Sequence, residues 1–584
     1  MHFSSLYVRL SIERVAYIYI SYAEVGVHAA ILQHDDDDSY QVLSPCKNTN
    51  TWEEEYPFIK NASSFSSAAK SKEYDYIVVG GGTSGCPLAA TLSQNFNVLL
   101  LERGGVPYGN KNTSLQNFHI NLVDTSPNSP AQFFVVEGVF NVRPRILGGG
   151  SSINAGFYSR PSLRSLMELG LDPKLAYKSY PWIEKQIVQW PVLNPWQRAI
   201  RSALLQTGIT PDNGYTYEHL SGTKIGGTIF DKDGIRHGAA ELLKSANPKN
   251  LDVLIHAHAQ KIVFDQSSAG KPRAVGVIFK DENGEQHEAV LSNNKKSEII
   301  LSSGAIGSPQ LLLLSGIGPK TELEKMNITV VLDNPFVGKG MADNPQNNLV
   351  VPFNRLVGQS LIQTVGITRE GLYIEGISGF GQSPSSIHYT HDNSTSLEEQ
   401  NEELPHEAYN AGGLLFKISD PLSTGELTLN NTNADDIPNI SFNYFSNPQD
   451  LQTCVNGYHI LEKLVKTKYL IEFMQPGNDT FQKLLKFTEN ETVNLIPRTA
   501  DVTKSLEQSC KETLVTIWHY HGGCHKGKVI SSDYEVIGAQ GLRVIDGSTF
   551  VQSPGTNPQA SVMMLGRYMG IKILRKRLGK AAGV

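Results

Sequence analysis

Cysteine is scarce, with five in 584 residues. That excludes a scaffold built on disulfides, and the odd number leaves at least one thiol unpaired. No Cys-x-x-Cys pair occurs, and no metal site is expected. No uninterrupted apolar run reaches the ~18 residues that cross a membrane as a helix. An excess of basic charge is lacking too. Lys and Arg total 51 against 57 Asp and Glu, a net charge of −6, which leaves no electrostatic footprint for nucleic acid.

Glycine, by contrast, is plentiful: 52 residues, many in short clusters that let a backbone approach a large ligand closely. The first cluster, Gly80-x-Gly82-x-x-Gly85, follows the apolar run Tyr76-Ile77-Val78-Val79. A short apolar run bounded by glycine marks a buried parallel strand. Thr83 to Ser93 has helical spacing, and Val98-Leu99-Leu100-Leu101 reads as a second buried strand ending at Glu102. This order is that of a dinucleotide-binding strand–helix–strand unit. Gly80 permits the tight turn, Gly82 lets the chain close on a pyrophosphate, and Gly85 lets the helix lie against the sheet. Glu102 is placed to accept hydrogen bonds from a ribose.

A second loop, Arg145-Ile146-Leu147-Gly148-Gly149-Gly150-Ser151-Ser152-Ile153-Asn154-Ala155-Gly156, points to FAD rather than NAD. Its small residues let the chain lie against a flat ring system, with backbone N–H groups and Asn154 free to bond it. Near the C-terminus stand Trp518-His519-Tyr520-His521 and, further on, Asn557. An imidazole and a carboxamide can hold an alcohol oxygen and remove its proton. In an extended segment His519 and His521 would share a face. Spacing alone leaves His519, His521 and His525 open as the base.

The length calls for two domains. Residues 1–70 are expected to be a leader, signal or linker; they include the uncharged piece Val15 to Ala23 and the acidic run Asp35 to Asp38. An α/β, Rossmann-like FAD domain is expected from segments 71–170, 240–345 and 510–584. A smaller α+β substrate domain with an antiparallel sheet is expected from 171–239 and 346–509. Eight Asn-x-Ser/Thr sequons, at Asn61, Asn112, Asn327, Asn393, Asn430, Asn439, Asn478 and Asn490, favour secretion. Cys454 and Cys510 form the candidate disulfide, and Cys86 reads as a packing residue.

The loop at 145–156, with Gly304-Ala305-Ile306-Gly307-Ser308-Pro309-Gln310-Leu311-Leu312-Leu313-Leu314-Ser315-Gly316-Ile317-Gly318, resembles the two signatures of the glucose–methanol–choline (GMC) oxidoreductase family, and in particular its plant branch. The resemblance spans roughly residues 74–584. It implies that Thr83, Ser84, Glu102 and Arg103 meet the ADP half of FAD. Ile146, Gly149, Gly150, Asn154, Ala155 and Gly156 would lie along the isoalloxazine and pyrophosphate, and Ala259 near the adenine. Asp546, Gly547, Pro558 and Gln559 would close over the flavin; Trp518 reads as a wall of the pocket or as plain core packing. Some relatives attach FAD through a histidine just before the Asn of this loop; here that residue is Ile153, so FAD is expected to be non-covalent.

His519 aligns with the family's base, and Asn557 would hydrogen-bond the same oxygen while hydride leaves for the flavin. The resemblance implies an alcohol substrate, either a long-chain ω-hydroxy fatty acid or an aromatic alcohol, and a monomer or weak oligomer. Two alternatives accompany it: a hydroxynitrile lyase with non-redox FAD, and a catalytically silent flavin-binding glycoprotein. The lyases of this family carry a second histidine where this chain has Asn557, and an asparagine carries no proton.

Overall fold

The computed structural model describes residues 51–65, 73–122, 124–265, 270–379, 411–477, 480–492, 494–499 and 504–579. The acidic run and the rest of residues 1–50 lie outside the described residues.

Six strands form an all-parallel sheet in the order Ile59–Asn61, Leu251–Ile255, Val98–Leu101, Tyr76–Val79, Glu298–Leu301, Leu542–Val544. Every residue of Tyr76–Val79 and Val98–Leu101 is buried, as apolar runs in a sheet covered on both faces require. Helix Gly85–Leu92 is also buried throughout. It starts two residues later than its periodicity predicts, because Thr83 and Ser84 form the turn that follows Gly82.

The C-terminal helix Gln559–Leu578 lies on helix Gly85–Leu92. A Cβ at Gly566 would stand 2.2 Å from the Ser84 carbonyl oxygen, and one at Gly570 would stand 2.7 Å from the Thr91 Cβ. Only glycine allows two backbones that close.

The expectation of a linker up to residue 70 needs correction. Ile59–Asn61 is an edge strand of the parallel sheet, and Tyr56 is wholly buried with its ring stacked on Tyr108 at 4.6 Å. Tyr56, Phe58 and Ile59 are buried with the main core, and that apolar contact orders a segment whose surroundings in sequence are polar.

The second sheet has seven strands in the order Val515–Thr516, Pro345–Pro352, Ala411–Ile418, Leu372–Ser378, Thr364–Ile367, Gly222–Ile225, Asp212–Tyr215. It is antiparallel except for its last pair. Val515–Thr516 falls within a segment expected on the FAD side, so the chain runs directly from this sheet into the 517–525 stretch. Tyr373 pairs with Lys417 across the sheet. Glu375, two residues beyond Tyr373, shares its face because strand side chains alternate. Gly425–Thr428 joins a separate three-stranded sheet with Lys339–Met341 and Asn439–Ile440.

A second core cluster lies between the seven-stranded sheet and helix Pro448–Val465. There Cys454 and Cys510 are joined by a disulfide that ties helix Pro448–Val465 to helix Leu506–Glu512. Cys86 and Cys524 are buried and unpaired. Among the described residues no helix is long and apolar enough to cross a membrane.

The disulfide closes a loop of 56 residues. Replacing both cysteines by alanine should cost about 2–4 kcal/mol of stability by releasing entropy in the unfolded chain. Denaturant unfolding of the double variant checks this; an unchanged midpoint would show that the cross-link restrains nothing.

Candidate active site

A cleft opens beyond the carboxyl ends of the parallel strands, where ligands of open α/β sheets bind. Gly80, Gly82, Thr83, Ser84, Glu102, Arg103, Ile146, Gly149, Gly150, Ala259, Trp518, Asp546 and Gly547 all line it. Gly80 has φ +103°, and a Cβ there would lie 2.5 Å from the Ser302 carbonyl oxygen. At Gly85 a Cβ would meet the Gly80 carbonyl oxygen at 2.0 Å, so Gly85 packs helix against strand and does not line the cleft. Gly82 differs, its nearest neighbour standing 3.7 Å from a built Cβ, and at Gly304 and Gly547 nothing lies within 4 Å. These positions present bare backbone to open space. The Ser84 hydroxyl is buried on the cleft wall with no partner. A buried hydroxyl of this kind calls for an acceptor, and a phosphate oxygen at the start of a buried helix provides one. The residues present therefore fit the pyrophosphate of FAD.

Glu102 is buried at the end of its strand. Its Oε2 accepts the Gly81 N–H and its Oε1 the Gly104 N–H, both at 2.9 Å. Burial pushes its carboxyl up to about 7, although those N–H groups and Arg103 pull the other way. A carboxylate has about four acceptor sites, so room for ribose hydroxyls remains. Arg103 donates to Gln132 Oε1 at 2.9 Å and to the Pro144 carbonyl at 2.8 Å. Asp546 accepts from the Gly304 N–H at 2.9 Å, from Ser308 Oγ and from Ser548. It thereby clamps the C-terminal segment to the start of helix Gly304–Leu314.

Asn154, Ala155, Gly156, Pro558 and Gln559, and with them His519 and Asn557, stand outside the lining of this cleft. The Asn154 amide is engaged inside the protein rather than free for a ring. Its Oδ1 accepts from the Gly156 N–H and from Arg236 Nη1, each at 2.9 Å, and its Nδ2 donates to Gln559 Oε1 at 3.1 Å. Gln559 in turn donates to the Phe157 carbonyl at 2.6 Å. Arg236, which organises this knot, carries no motif that sequence reading could use.

The proton-handling residues sit where the chain leaves the seven-stranded sheet. Trp518 adopts φ +58°, rare for a bulky residue. This reversal ends the extended backbone at Thr516, so His519 and His521 do not follow strand alternation. The His519 backbone N–H donates to Asp343 Oδ1 at 3.0 Å. The other oxygen of Asp343 accepts from Thr516 Oγ1 at 2.6 Å and from the Tyr444 hydroxyl. His519 Nδ1 is buried without a partner. Burial, then Lys417, then His521 hold this ring well below the usual histidine range, so it is neutral at physiological pH. His521 Nδ1 is engaged by the His519 carbonyl at 3.0 Å, and burial pushes that ring down to about 4.

Asn557 is buried, and its Oδ1 accepts from Lys417 Nζ at 2.8 Å. Lys417 pairs with Glu375 at 3.3 Å and sits 4.3 Å from the centre of the Tyr373 ring. The Tyr373 hydroxyl meets Thr556 Oγ1 at 3.1 Å. Lys417 is the residue that sequence reading missed. The available signal was a lone charge inside the apolar strand Leu414-Leu415-Phe416-Lys417-Ile418.

Asp281, Glu285 and His287 also cluster, but Asp281 there caps its own turn, accepting from Asn283, Glu285 and the His287 ring.

Residues 74–346 match the N-terminal part, and residues 421–566 the C-terminal part, of the GMC oxidoreductase family. Protein HOTHEAD of Arabidopsis thaliana is 55% identical over 91% of this chain and 94% of its own length. An (R)-mandelonitrile lyase-like protein of the same plant is 44% identical, over 89% and 93%. A sinalpyl alcohol oxidase of Nesocodon mauritianus is 42% identical, over 87% and 90%. A crystal structure of formate oxidase covers 88% of this chain and 100% of that one at TM-score 0.70 and 18% identity, a likeness of fold.

The Gly85 contact yields a test. Gly85→Ala should push the helix off the strand and weaken FAD retention by about tenfold or more. The ratio of flavin to protein absorbance after desalting measures it; full retention would show that this packing does not shape the cleft.

Proposed function

As the chain belongs to the GMC oxidoreductase family, we propose that it oxidises the carbinol of an alcohol with bound FAD, His519 taking the hydroxyl proton and Asn557 holding the oxygen. The observation that carries this reading is a neutral histidine with one buried nitrogen unpartnered and a carboxamide whose acceptor side is occupied by Lys417, the same lysine whose charge acts on that histidine. Lysine can only donate, so Asn557 Oδ1 faces Lys417 and the Nδ2 protons are left for the substrate.

When bound, FAD supplies the acceptor for the hydride that leaves the carbinol carbon. The protein handles the other half of the reaction. Asn557 fixes the alcohol oxygen by donating to it, and the charge that grows there is met by the same N–H groups. His519 removes the proton from that oxygen, and its backbone anchor on Asp343 holds the ring in place. Ile153, just before Asn154, is a buried aliphatic residue with no nucleophile, which supports non-covalent FAD.

Segments 71–170, 240–345 and 510–584, with strand Ile59–Asn61 added and Val515–Thr516 given to the other sheet, form the FAD domain in this reading, and 171–239 with 346–509 the domain over the substrate. The disulfide and the exposed sequon residues Asn61, Asn327, Asn430, Asn439 and Asn490 support a secreted glycoprotein. The relative named a sinalpyl alcohol oxidase favours an aromatic alcohol; long-chain hydroxy acids complete the panel to be tried. Relatives named as mandelonitrile lyases raise the second reading. An asparagine bound to a lysine cannot carry the proton which that chemistry moves, so oxidation is favoured.

Anaerobic addition of a substrate alcohol should bleach the flavin. His519→Ala should keep its flavin and lose about 10²–10⁴ in bleaching rate. Cyanide release from mandelonitrile with no bleaching by any alcohol would overturn the assignment in favour of the lyase.

A further inference from the structure

We propose that Lys417 is a positioning residue of this site: its ammonium, seated on Glu375, turns the Asn557 carboxamide so that its NH2 faces the substrate, and sets a positive charge beside His519. The proposal rests on the alcohol-oxidising reading and adds to it the two residues that orient its hydrogen-bond donor.

Lys417 and Glu375 have side chains only 1% exposed. A buried ion pair is commonly no more stabilising than apolar residues of the same volume, so stability alone gives no reason for this one. Its geometry does. Pairing across the sheet sets Lys417 opposite Tyr373, and Glu375 follows on the same face. From that face Lys417 reaches Asn557 at 2.8 Å and Tyr373 reaches Thr556 at 3.1 Å. Two successive residues of the C-terminal segment are therefore docked on one patch of sheet. Gly555, at φ +75°, makes the turn that delivers them. With Lys417 donating, the amide has a single orientation.

Around His519 stand Lys417 from the sheet, His521 from its own segment, and Asp343 at its backbone N–H. Glu375 lies behind Lys417. Removing the ammonium should let the His519 ring take up a proton at higher pH, leaving less free base at a given pH.

The experiment compares wild-type holoenzyme with Lys417→Met and Lys417→Gln, each in a Glu375→Gln background so that no carboxylate is left buried and unpaired. Histidines labelled at Cε1 are titrated by NMR, with His519 assigned through His519→Ala, and flavin reduction by the alcohol is timed anaerobically. Measured against Glu375→Gln alone, both neutral variants are expected to show a higher His519 midpoint. At a pH above that midpoint, reduction should slow about 10–100-fold in the Met variant, where Asn557 Oδ1 has lost its charged donor. It should slow less in the Gln variant, which can still donate. Flavin content should not change.

An unmoved midpoint with an unaltered rate in a flavin-loaded variant overturns the proposal. So does a midpoint in Lys417→Arg displaced as far as in the neutral variants, since that would assign Lys417 to packing. If the Met variant fails to bind flavin, the Gln variant carries the same titration. If no alcohol reduces the wild-type flavin, the alcohol-oxidising reading fails, while the NMR midpoint still reads the action of Lys417 on His519.

Discussion

The hydrogen bond from Lys417 to Asn557 is where the seven-stranded sheet takes hold of the C-terminal segment. That segment has two obligations. At Asp546 it is fixed to the first turn of helix Gly304–Leu314, on the side of the glycine cleft. Eleven residues later it is fixed to the sheet that would cover a substrate. One stretch of chain is thereby gripped from both sides. A charged donor to a buried acceptor is among the stronger protein hydrogen bonds, and Glu375 at 3.3 Å offsets part of the cost of burying the lysine.

Much of the cleft could be read in the sequence because its causes are local. Tyr76–Val79 and Val98–Leu101 are short apolar runs closed off by glycine or an acid, and each proved to be a buried strand over the residues expected. The glycine spacing works because Gly85 must sit on the Gly80 carbonyl, a contact made within one turn. The strand at Ile59–Asn61 escaped notice since only one of its three residues is apolar and its partner, Leu251–Ile255, lies far along the chain. The protein partners of Asn154 were hidden for the same reason. Its amide is taken by Arg236 and Gln559, residues 82 and 405 positions away, and no local pattern signals such partners. Lys417 reads as an anomaly in an apolar strand, and its meaning appears only when Asn557 is brought against it. The left-handed backbone of Trp518 was not foreseen, since nothing in the residue's identity foretells it.

Electrostatically the two halves of the site contrast. The cleft wall offers backbone N–H groups and an orphan hydroxyl, which suit an anion. The proton-handling side keeps its histidines neutral by burial and by a nearby ammonium. A neutral imidazole is ready to accept a proton, and a positive neighbour favours an alkoxide over an alcohol on the oxygen between them.

The Gly566 and Gly570 contacts lay the last helix of the chain against the first helix of the glycine unit. Strand Leu542–Val544, also late in the chain, completes the edge of the parallel sheet. Synthesis therefore makes the glycine turn more than 450 residues before the helix that buttresses it. Throughout translation the nascent glycine unit lacks its backing, and long-range pairing of this kind is slow and exposed to aggregation. Until residues 542–578 have been made, the parallel sheet lacks one edge strand and the glycine unit lacks the helix that backs it.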